Sequence, residues 1–185
     1  PQPVTWGKCK LATASFGHGI NTNLLQLTKG YAIISNGGFD VKPTLIKKET
    51  DVNKKTIITK ATSQKINSIL RKIVVTGTAK LANVDGYEIG GKTGTANKTI
   101  NGVYTNKKIN TFASVFPISK PQFVFVVLID EPQINNSYIY EYRDGSGFKL
   151  KGAPRNTAGW TSVEVAGKII EKIGPILATK YIEIN

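Results

Sequence analysis

The chain has 185 residues, of which 40% are hydrophobic and 20% charged, a composition that suits one folded domain and excludes a disordered tail. Lysines and arginines number 25 against 12 acidic residues, and the resulting net charge of +13 favours anionic partners such as an acidic polymer or a lipid surface. Only three of the cations are arginines and the lysines are scattered, so we expect a solvated lysine-rich surface and no nucleic-acid partner.

The first half of the chain predicts two helices. Residues 21–35 carry Leu24, Leu27, Tyr31 and Ile34 at helical spacing, with Asn21 or Asn23 as the N-cap. A second helix is predicted where Ile66, Ile69, Leu70, Ile73 and Val74 recur at helical spacing, behind Thr62 or Ser63 as the cap. Between the two helices, residues 40–59 predict one or two short strands and a surface hairpin.

The second half predicts strands and then a last helix. Residues 111–117 and 122–130 are strand-like, and the second run is apolar on both faces, so we expect it inside a sheet. A long polar loop over residues 131–159 follows.

The last helix begins in a predicted capping box between Thr161 and Glu164 and ends at Pro175. This order of elements indicates an α+β fold, an antiparallel sheet flanked by helices.

The stretch GYEIGGKTGTANK, residues 86–98, matches the phosphate-binding P-loop pattern if it is counted from Gly86. A P-loop requires a buried strand before the glycines and a helix that starts at the Lys-Thr pair. The residues before Gly86 do not form a buried strand, and the residues after Thr93 show no helical periodicity. We therefore reject nucleotide binding.

The same stretch fits a strand over residues 89–95 whose edge binds an extended peptide. Gly90 and Gly91 would let another chain approach closely, and Lys92 would supply positive charge. The hydroxyl of Thr93 would bind a substrate carboxylate, and the amide of Thr95 would serve an oxyanion. From these residues alone, an ordinary glycine-kinked strand with solvent-facing side chains stays an equal alternative.

Four segments together resemble the C-terminal part of the transpeptidase domain of class B penicillin-binding proteins, in particular the cell-division type that builds septal peptidoglycan. They are SFGHGINTNLLQLTKGYAIISNGG (15–38), VVTGTAKLANVDGYEIGGKTGTANK (74–98), INTFASVFPISKPQFVFVVLIDEP (109–132) and NTAGWTSVEVAGKIIEKIGPIL (156–177). The resemblance covers nearly the whole chain in the family's order. It makes residues 1–185 the C-terminal fragment of that domain.

The resemblance implies a serine D,D-transpeptidase that cross-links stem peptides ending in D-Ala-D-Ala and is inhibited by β-lactam antibiotics. Lys92, Thr93 and Gly94 match the family's K-T-G motif, and Thr95 matches the residue whose amide completes the oxyanion hole. Lys92 and Thr95 are then the expected catalytic residues, and Thr93 and Gly94 the substrate-binding ones. The resemblance implies no cofactor and no metal, division-machinery proteins as partners, and a periplasmic enzyme anchored in the inner membrane by a preceding segment.

The family's nucleophile motif S-x-x-K and its S-x-N motif should precede K-T-G, and no residues before Lys92 fit them. The only S-x-x-K, Ser146 to Lys149, lies in a polar loop after the strands, and we interpret it as coincidence. We therefore expect a cut piece of a longer protein that is inactive by itself. Without the upstream strands, residues 122–130 would form an exposed edge through which the fragment self-associates.

The alternative function is a non-catalytic basic module that binds peptidoglycan or a division partner. Two further residues invite a functional reading. His18 suits a general base, but a loop position without a partner is the favoured interpretation. Trp160 suits sugar stacking, but packing onto the last helix is favoured.

Overall fold

In the computed structural model, the described residues are 7, 9–15, 17, 19–46, 55–153 and 155–181. The helices are α1 (Lys10–Ala14), α2 (Leu24–Ser35), α3 (Lys60–Val75) and α4 (Ser162–Tyr181). The strands are β1 (Gly90–Ile100), β2 (Val103–Phe116), β3 (Phe123–Asp130), β4 (Ile139–Glu141) and β5 (Lys149–Lys151), with short 3₁₀ helices at Lys80–Ala82 and Ala158–Trp160.

Strands β1, β2 and β3 form an antiparallel sheet in that order, so β2 is central. Asn101 and Gly102 form the β1–β2 turn, and both adopt positive φ angles, 52° and 79°. The pairing of β1 with β2 runs from Gly90 opposite Val115 to Ile100 opposite Val103. Strands β4 and β5 form a separate two-stranded sheet.

Helices cover both faces of the three-stranded sheet. Alternate residues of β2 point to opposite faces. Phe112 and Phe116 join the larger core cluster with Val163 and Ile170 of α4. Val115 points the other way, into a smaller cluster with Leu70 of α3 and half-buried side chains of α2. The core is therefore two layers deep, with α4 on one face of the sheet and α2 and α3 on the other.

The predicted helices form, but their ends need correction. Asn23 is the N-cap of α2, as one of the two predicted choices. Helix α3 begins at Lys60 because Thr59 caps it, earlier than the predicted Thr62 or Ser63. Two residues predicted on buried helix faces, Leu24 and Ile69, are exposed.

The expected end of α4 at Pro175 is wrong, because the helix continues to Tyr181. A proline inside a helix removes one main-chain hydrogen bond. Packing offsets this loss: Leu177, beyond the proline, lies against the larger core cluster, and the buried Gly174 sits against the ring of Tyr87. Tertiary contacts thus extend the helix past its local stop signal.

Strands β1 and β2 are longer than predicted, and the last loop is more ordered. Strand β1 runs five residues past the expected end at Thr95, and β2 begins eight residues before Thr111, because the polar residues between them form a hairpin rather than an irregular loop. The predicted loop over residues 131–159 contains β4, β5 and a 3₁₀ helix. Strand β3 is an edge strand among the described residues, as expected for the fragment without the upstream strands, although its two apolar faces predict an interior strand.

Of the predicted hairpin over residues 40–59, the structure shows a single bridge between Phe39 and Thr56. Residues 47–54 lie outside the described part of the chain. Across the described ranges, no helix is both long enough and apolar enough to cross a lipid bilayer.

Candidate active site

A cleft of about 570 Å³ opens beside β1. It is lined by Gly77, Thr78, Lys80, Leu81, Thr93, Thr95, Tyr142, Arg155, Thr157, Gly159 and Trp160. Four parts of the chain therefore meet here: the turn and 3₁₀ helix after α3, the strand that carries the K-T-G residues, Tyr142 after β4, and the segment just before α4.

The strand divides its four motif residues between two faces. Thr93 pairs with Phe112 and Thr95 with Asn110, and both partners point toward α4, where the cleft lies. Lys92 and Gly94 alternate with them and point to the opposite face. The structure thus brings Thr93 and Thr95 together in the cleft and leaves Lys92 and Gly94 out of its lining.

Both threonine hydroxyls are already oriented by the protein. The Thr93 hydroxyl forms a 2.9 Å hydrogen bond with the Thr78 hydroxyl. The Thr95 hydroxyl accepts a 3.0 Å hydrogen bond from the main-chain amide of Ala158. Lys92 is exposed, and its ammonium donates to the carbonyl of Thr93 at 2.5 Å. These contacts place two hydroxyls and one positive charge along the same short stretch of β1.

The glycines of the motif have different neighbours. A Cβ on Gly90 would lie 2.8 Å from the side chain of Ile118, and one on Gly91 would lie 2.6 Å from the ring of Phe112. The two glycines therefore admit the protein's own core, not another chain as predicted. A Cβ on Gly94 would meet its nearest atom at 3.9 Å, so this glycine leaves the strand surface open.

Residues 155–160, the segment before α4, form the wall opposite β1. The side-chain amide of the fully buried Asn110 on β2 donates to the carbonyl of Asn156 at 2.8 Å and to the hydroxyl of Thr161 at 2.7 Å. The Thr161 hydroxyl donates in turn to the carbonyl of Thr157 at 3.0 Å, which leaves its lone pairs to accept from Asn110. Asn110 thus holds the wall to the sheet near its start, at Asn156, and directly after its end, at Thr161.

The predicted capping box is replaced by an ion pair. Both oxygens of Glu164 accept hydrogen bonds from Arg143, at 2.8 and 3.0 Å, and one also accepts from the Tyr138 hydroxyl. Burial by itself lowers the pKa of Arg143, but the hydrogen bonds and charge of Glu164 outweigh that effect and raise it. Arg143 also donates to the carbonyl of Leu81 at 2.7 Å, so the pair holds the 3₁₀ helix after α3 in place beside the cleft.

The remaining candidates from the sequence are the Ser146–Lys149 motif, Trp160 and His18. Ser146 is exposed in the loop before β5, and Lys149 forms an ion pair with Glu141, so the out-of-order S-x-x-K builds no nucleophile site. Trp160 packs edge-on against Tyr140 and lines the cleft as well. His18 lies outside the described residues. Within the described ranges, no cluster of His, Cys, Asp or Glu is arranged to hold a metal.

Reasoning from the sequence missed Thr78, Arg155 and Thr157 in the cleft, and Asn110 behind it. The sequence around Asn110 did not mark it as buried, because its neighbours along β2, among them Lys107, Lys108 and Thr111, are polar as well. The lining residues carried no local signal either, because only the fold brings them to β1.

The model of the penicillin-binding protein transpeptidase domain matches residues 2–146 of the chain. The chain belongs to this family. A "Probable peptidoglycan D,D-transpeptidase FtsI" from Caulobacter vibrioides is 31% identical over 96% of the chain, and a "Probable peptidoglycan D,D-transpeptidase PenA" from Neisseria flavescens is 36% identical over 72% of it. These alignments cover 30% and 34% of the two relatives, so the chain spans about a third of their length.

Solved structures of the family agree with the fold. Penicillin-binding protein 3 from Mycobacterium tuberculosis, in complex with aztreonam, matches 91% of the chain with a TM-score of 0.69 and 26% identity; the match covers 39% of that chain. The transpeptidase domain of FtsI4 from Legionella pneumophila matches 93% with a TM-score of 0.65 and 25% identity, over 54% of that chain. The predicted α+β fold and the resemblance to the transpeptidase family are both confirmed.

Proposed function

We propose that this chain forms one side of the active site of a peptidoglycan D,D-transpeptidase that works in septum synthesis. The observation that carries the proposal is that the hydroxyls of Thr93 and Thr95, both on β1, line the cleft. The cleft lies beside the edge of β1 that no other described strand covers. Membership of the transpeptidase family and the names of the relatives support it.

The open edge of β1 suits an extended peptide. Alternate residues of an antiparallel strand direct their main-chain groups to the same side, so those of Thr93 and Thr95 share an edge. The Lys92 ammonium, bonded to the Thr93 carbonyl, marks that edge as the open one. A peptide laid along it gains main-chain hydrogen bonds, and Gly94 keeps the strand surface clear.

Each motif residue then has a role in acyl transfer. Thr93 binds the terminal carboxylate of the D-Ala-D-Ala end, and Lys92 adds positive charge beside it. A serine from a segment outside these 185 residues attacks the penultimate carbonyl, forms an ester, and the terminal D-Ala leaves. The Thr95 amide stabilises the oxyanion. An amine from the stem peptide of a neighbouring peptidoglycan strand then attacks the ester, forms the new peptide bond and releases the serine.

The test is acylation of the complete gene product by a fluorescent penicillin. We expect labelling of the wild type. Thr93→Val should slow it about tenfold to a hundredfold, because a hydrogen bond to a charged group contributes about 1.5–3 kcal/mol. Thr93→Ser keeps the hydroxyl and serves as the matched control. An unlabelled wild type that still binds sacculi at low salt would replace this proposal with the non-catalytic basic module.

The unpaired edge of β3 supports a second proposal, that the 185-residue chain self-associates. The strand is apolar, and only β2 pairs with it among the described residues. Light scattering over a range of concentrations tests it, since a monomer mass that stays constant would contradict it. Division-machinery partners, the periplasmic location and the membrane anchor stay predictions.

A further inference from the structure

The three arginines of the chain have different environments. Arg71 donates to the side chain of Asn83 and the carbonyl of Ile89. Arg143 is buried against Glu164. Arg155 is exposed, lines the cleft, and has no hydrogen-bond or ion-pair partner within the described part of the chain. The cleft thus contains an arginine whose guanidinium makes no hydrogen bond or ion pair with the described part of the chain.

The backbone beside Arg155 is nevertheless held firmly. The side-chain oxygen of Asn156 accepts from the Lys108 ammonium at 2.7 Å, and its carbonyl accepts from Asn110. Two residues further on, the amide of Ala158 is bonded to Thr95. A fixed main chain suits a binding residue, because the arrival of a ligand then has to order only the side chain of Arg155 and not the segment that carries it.

The lining of the cleft is cationic. It contains Arg155 and Lys80 and no carboxylate. Lys80 precedes Leu81, whose carbonyl the buried Arg143 holds, so the backbone beside this second cation is also fixed. An anionic ligand group would therefore meet two positive charges and no repulsion from a lining residue.

We propose that Arg155, with Lys80 beside the same cleft, binds a side-chain carboxylate of the peptide substrate. This inference rests on the proposed function, in which the terminal carboxylate already lies at Thr93 on β1. Arg155 is on the opposite wall, so it takes a second, internal carboxylate. The planar guanidinium presents two parallel N–H donors to both oxygens of a carboxylate, which a carboxamide does not match. The preferred substrate is then an acidic peptide.

The experiment measures the binding of two synthetic peptides to the complete gene product by fluorescence anisotropy. Both peptides end in D-Ala-D-Ala, and they differ in one internal glutamate, free in one and carboxamide in the other. We expect the wild type to bind the free acid about tenfold to a hundredfold more tightly. Arg155→Gln should remove that preference and leave affinity for the carboxamide unchanged.

Two variants serve as controls. Lys151→Gln removes one positive charge from β5, four residues before Arg155 and outside the cleft lining, and should keep the full preference. Arg155→Lys keeps the positive charge but not the planar guanidinium, and should keep only part of the preference for the free acid. Because Arg155 is exposed, its variants should unfold at the wild-type temperature, and this is checked by circular dichroism.

Three results would overturn the inference. Equal binding of the two peptides by the wild type would show that no internal carboxylate is recognised. An unchanged preference in Arg155→Gln would assign the recognition to another residue. Equal loss of affinity for both peptides, together with slower penicillin labelling, would assign Arg155 to the terminal carboxylate instead. Failure of the wild type to react with penicillin would contradict the proposed function separately, since peptide binding is measured without catalysis.

Discussion

The two walls of the cleft are built in different ways. On one side, Thr93 and Thr95 are two residues apart on one strand, and strand alternation alone places them together. On the other side, residues 155–160 are held by side chains from distant parts of the chain: Asn110 reaches across 46 and 51 positions, and Thr95 across 63. The first wall is local, whereas the second exists only in the folded protein.

The largest expected effect comes from breaking the buried ion pair of Arg143 and Glu164, which holds Leu81 at the cleft through a contact that is also non-local. The side chains of Arg143 and Glu164 are only 4% and 6% exposed. Glu164→Ala should destabilise the complete gene product by about 3–5 kcal/mol in urea denaturation, because it leaves the buried charge of Arg143 with the exposed Glu171 as its ion-pair partner. The double variant Arg143→Met, Glu164→Leu should lose much less than the sum of its single changes. Additive losses would show that the two groups are not coupled.

Two glycine substitutions on β1 distinguish a glycine needed for core packing, Gly91, from one needed for ligand access, Gly94. Gly91→Ala should cost about 1–3 kcal/mol of stability, since its Cβ would overlap the Phe112 ring and lie 2.8 Å from the Ala113 carbonyl. Gly94→Ala has room for its Cβ and should leave the denaturation midpoint near that of the wild type, yet slow penicillin acylation by crowding the strand surface. Equal stability of the two variants would contradict the packing assigned to Gly91.

Asn110 connects the two walls, and its neighbour Thr161 offers a matched pair of substitutions. Thr161→Val removes the hydroxyl between Asn110 and Thr157 and should cost about 1–3 kcal/mol, because the buried amide of Asn110 loses a partner. Thr161→Ser should restore most of that loss. If Asn110 positions the 155–160 wall, Thr161→Val should also weaken peptide binding more than it slows penicillin acylation. Equal losses of stability in Thr161→Val and Thr161→Ser would show that the Thr161 hydroxyl does not contribute to stability.

The smallest effect is expected at Lys98, a partly exposed surface residue that pairs with Asp130 and Glu131. Lys98→Gln should leave the denaturation midpoint at neutral pH nearly unchanged, because solvent screens such pairs. Hydrogen bonds from Lys98 and then Lys107 lower the pKa of Glu131. Any stabilisation from the pair is therefore present above the usual pKa of glutamate and lost as pH falls through the acid range, where wild type and variant should converge. A difference in stability between wild type and Lys98→Gln that increased at acid pH would contradict this pH dependence.

The same contrast explains what the sequence could predict. Helices α2, α3 and α4, the three long strands and the Thr93–Thr95 pair follow from periodicity and a short motif, whereas the short helix α1 was not predicted. The continuation of α4 through Pro175 and the use of Glu164 in an ion pair depend on Leu177 and Arg143, which local patterns do not connect. Arg155 and Thr78 enter the cleft only because the fold brings separate segments to β1.

The most direct test of the central claim is a crystal structure of the complete gene product acylated by a penicillin. The account predicts that the bound ligand lies along the open edge of β1, with its carboxylate hydrogen-bonded to the Thr93 hydroxyl. Its acyl oxygen should lie about 2.7–3.1 Å from the Thr95 amide nitrogen. A covalent adduct whose carboxylate and acyl oxygen both contact other residues, with Thr93 and Thr95 still bonded only to Thr78 and Ala158, would contradict it.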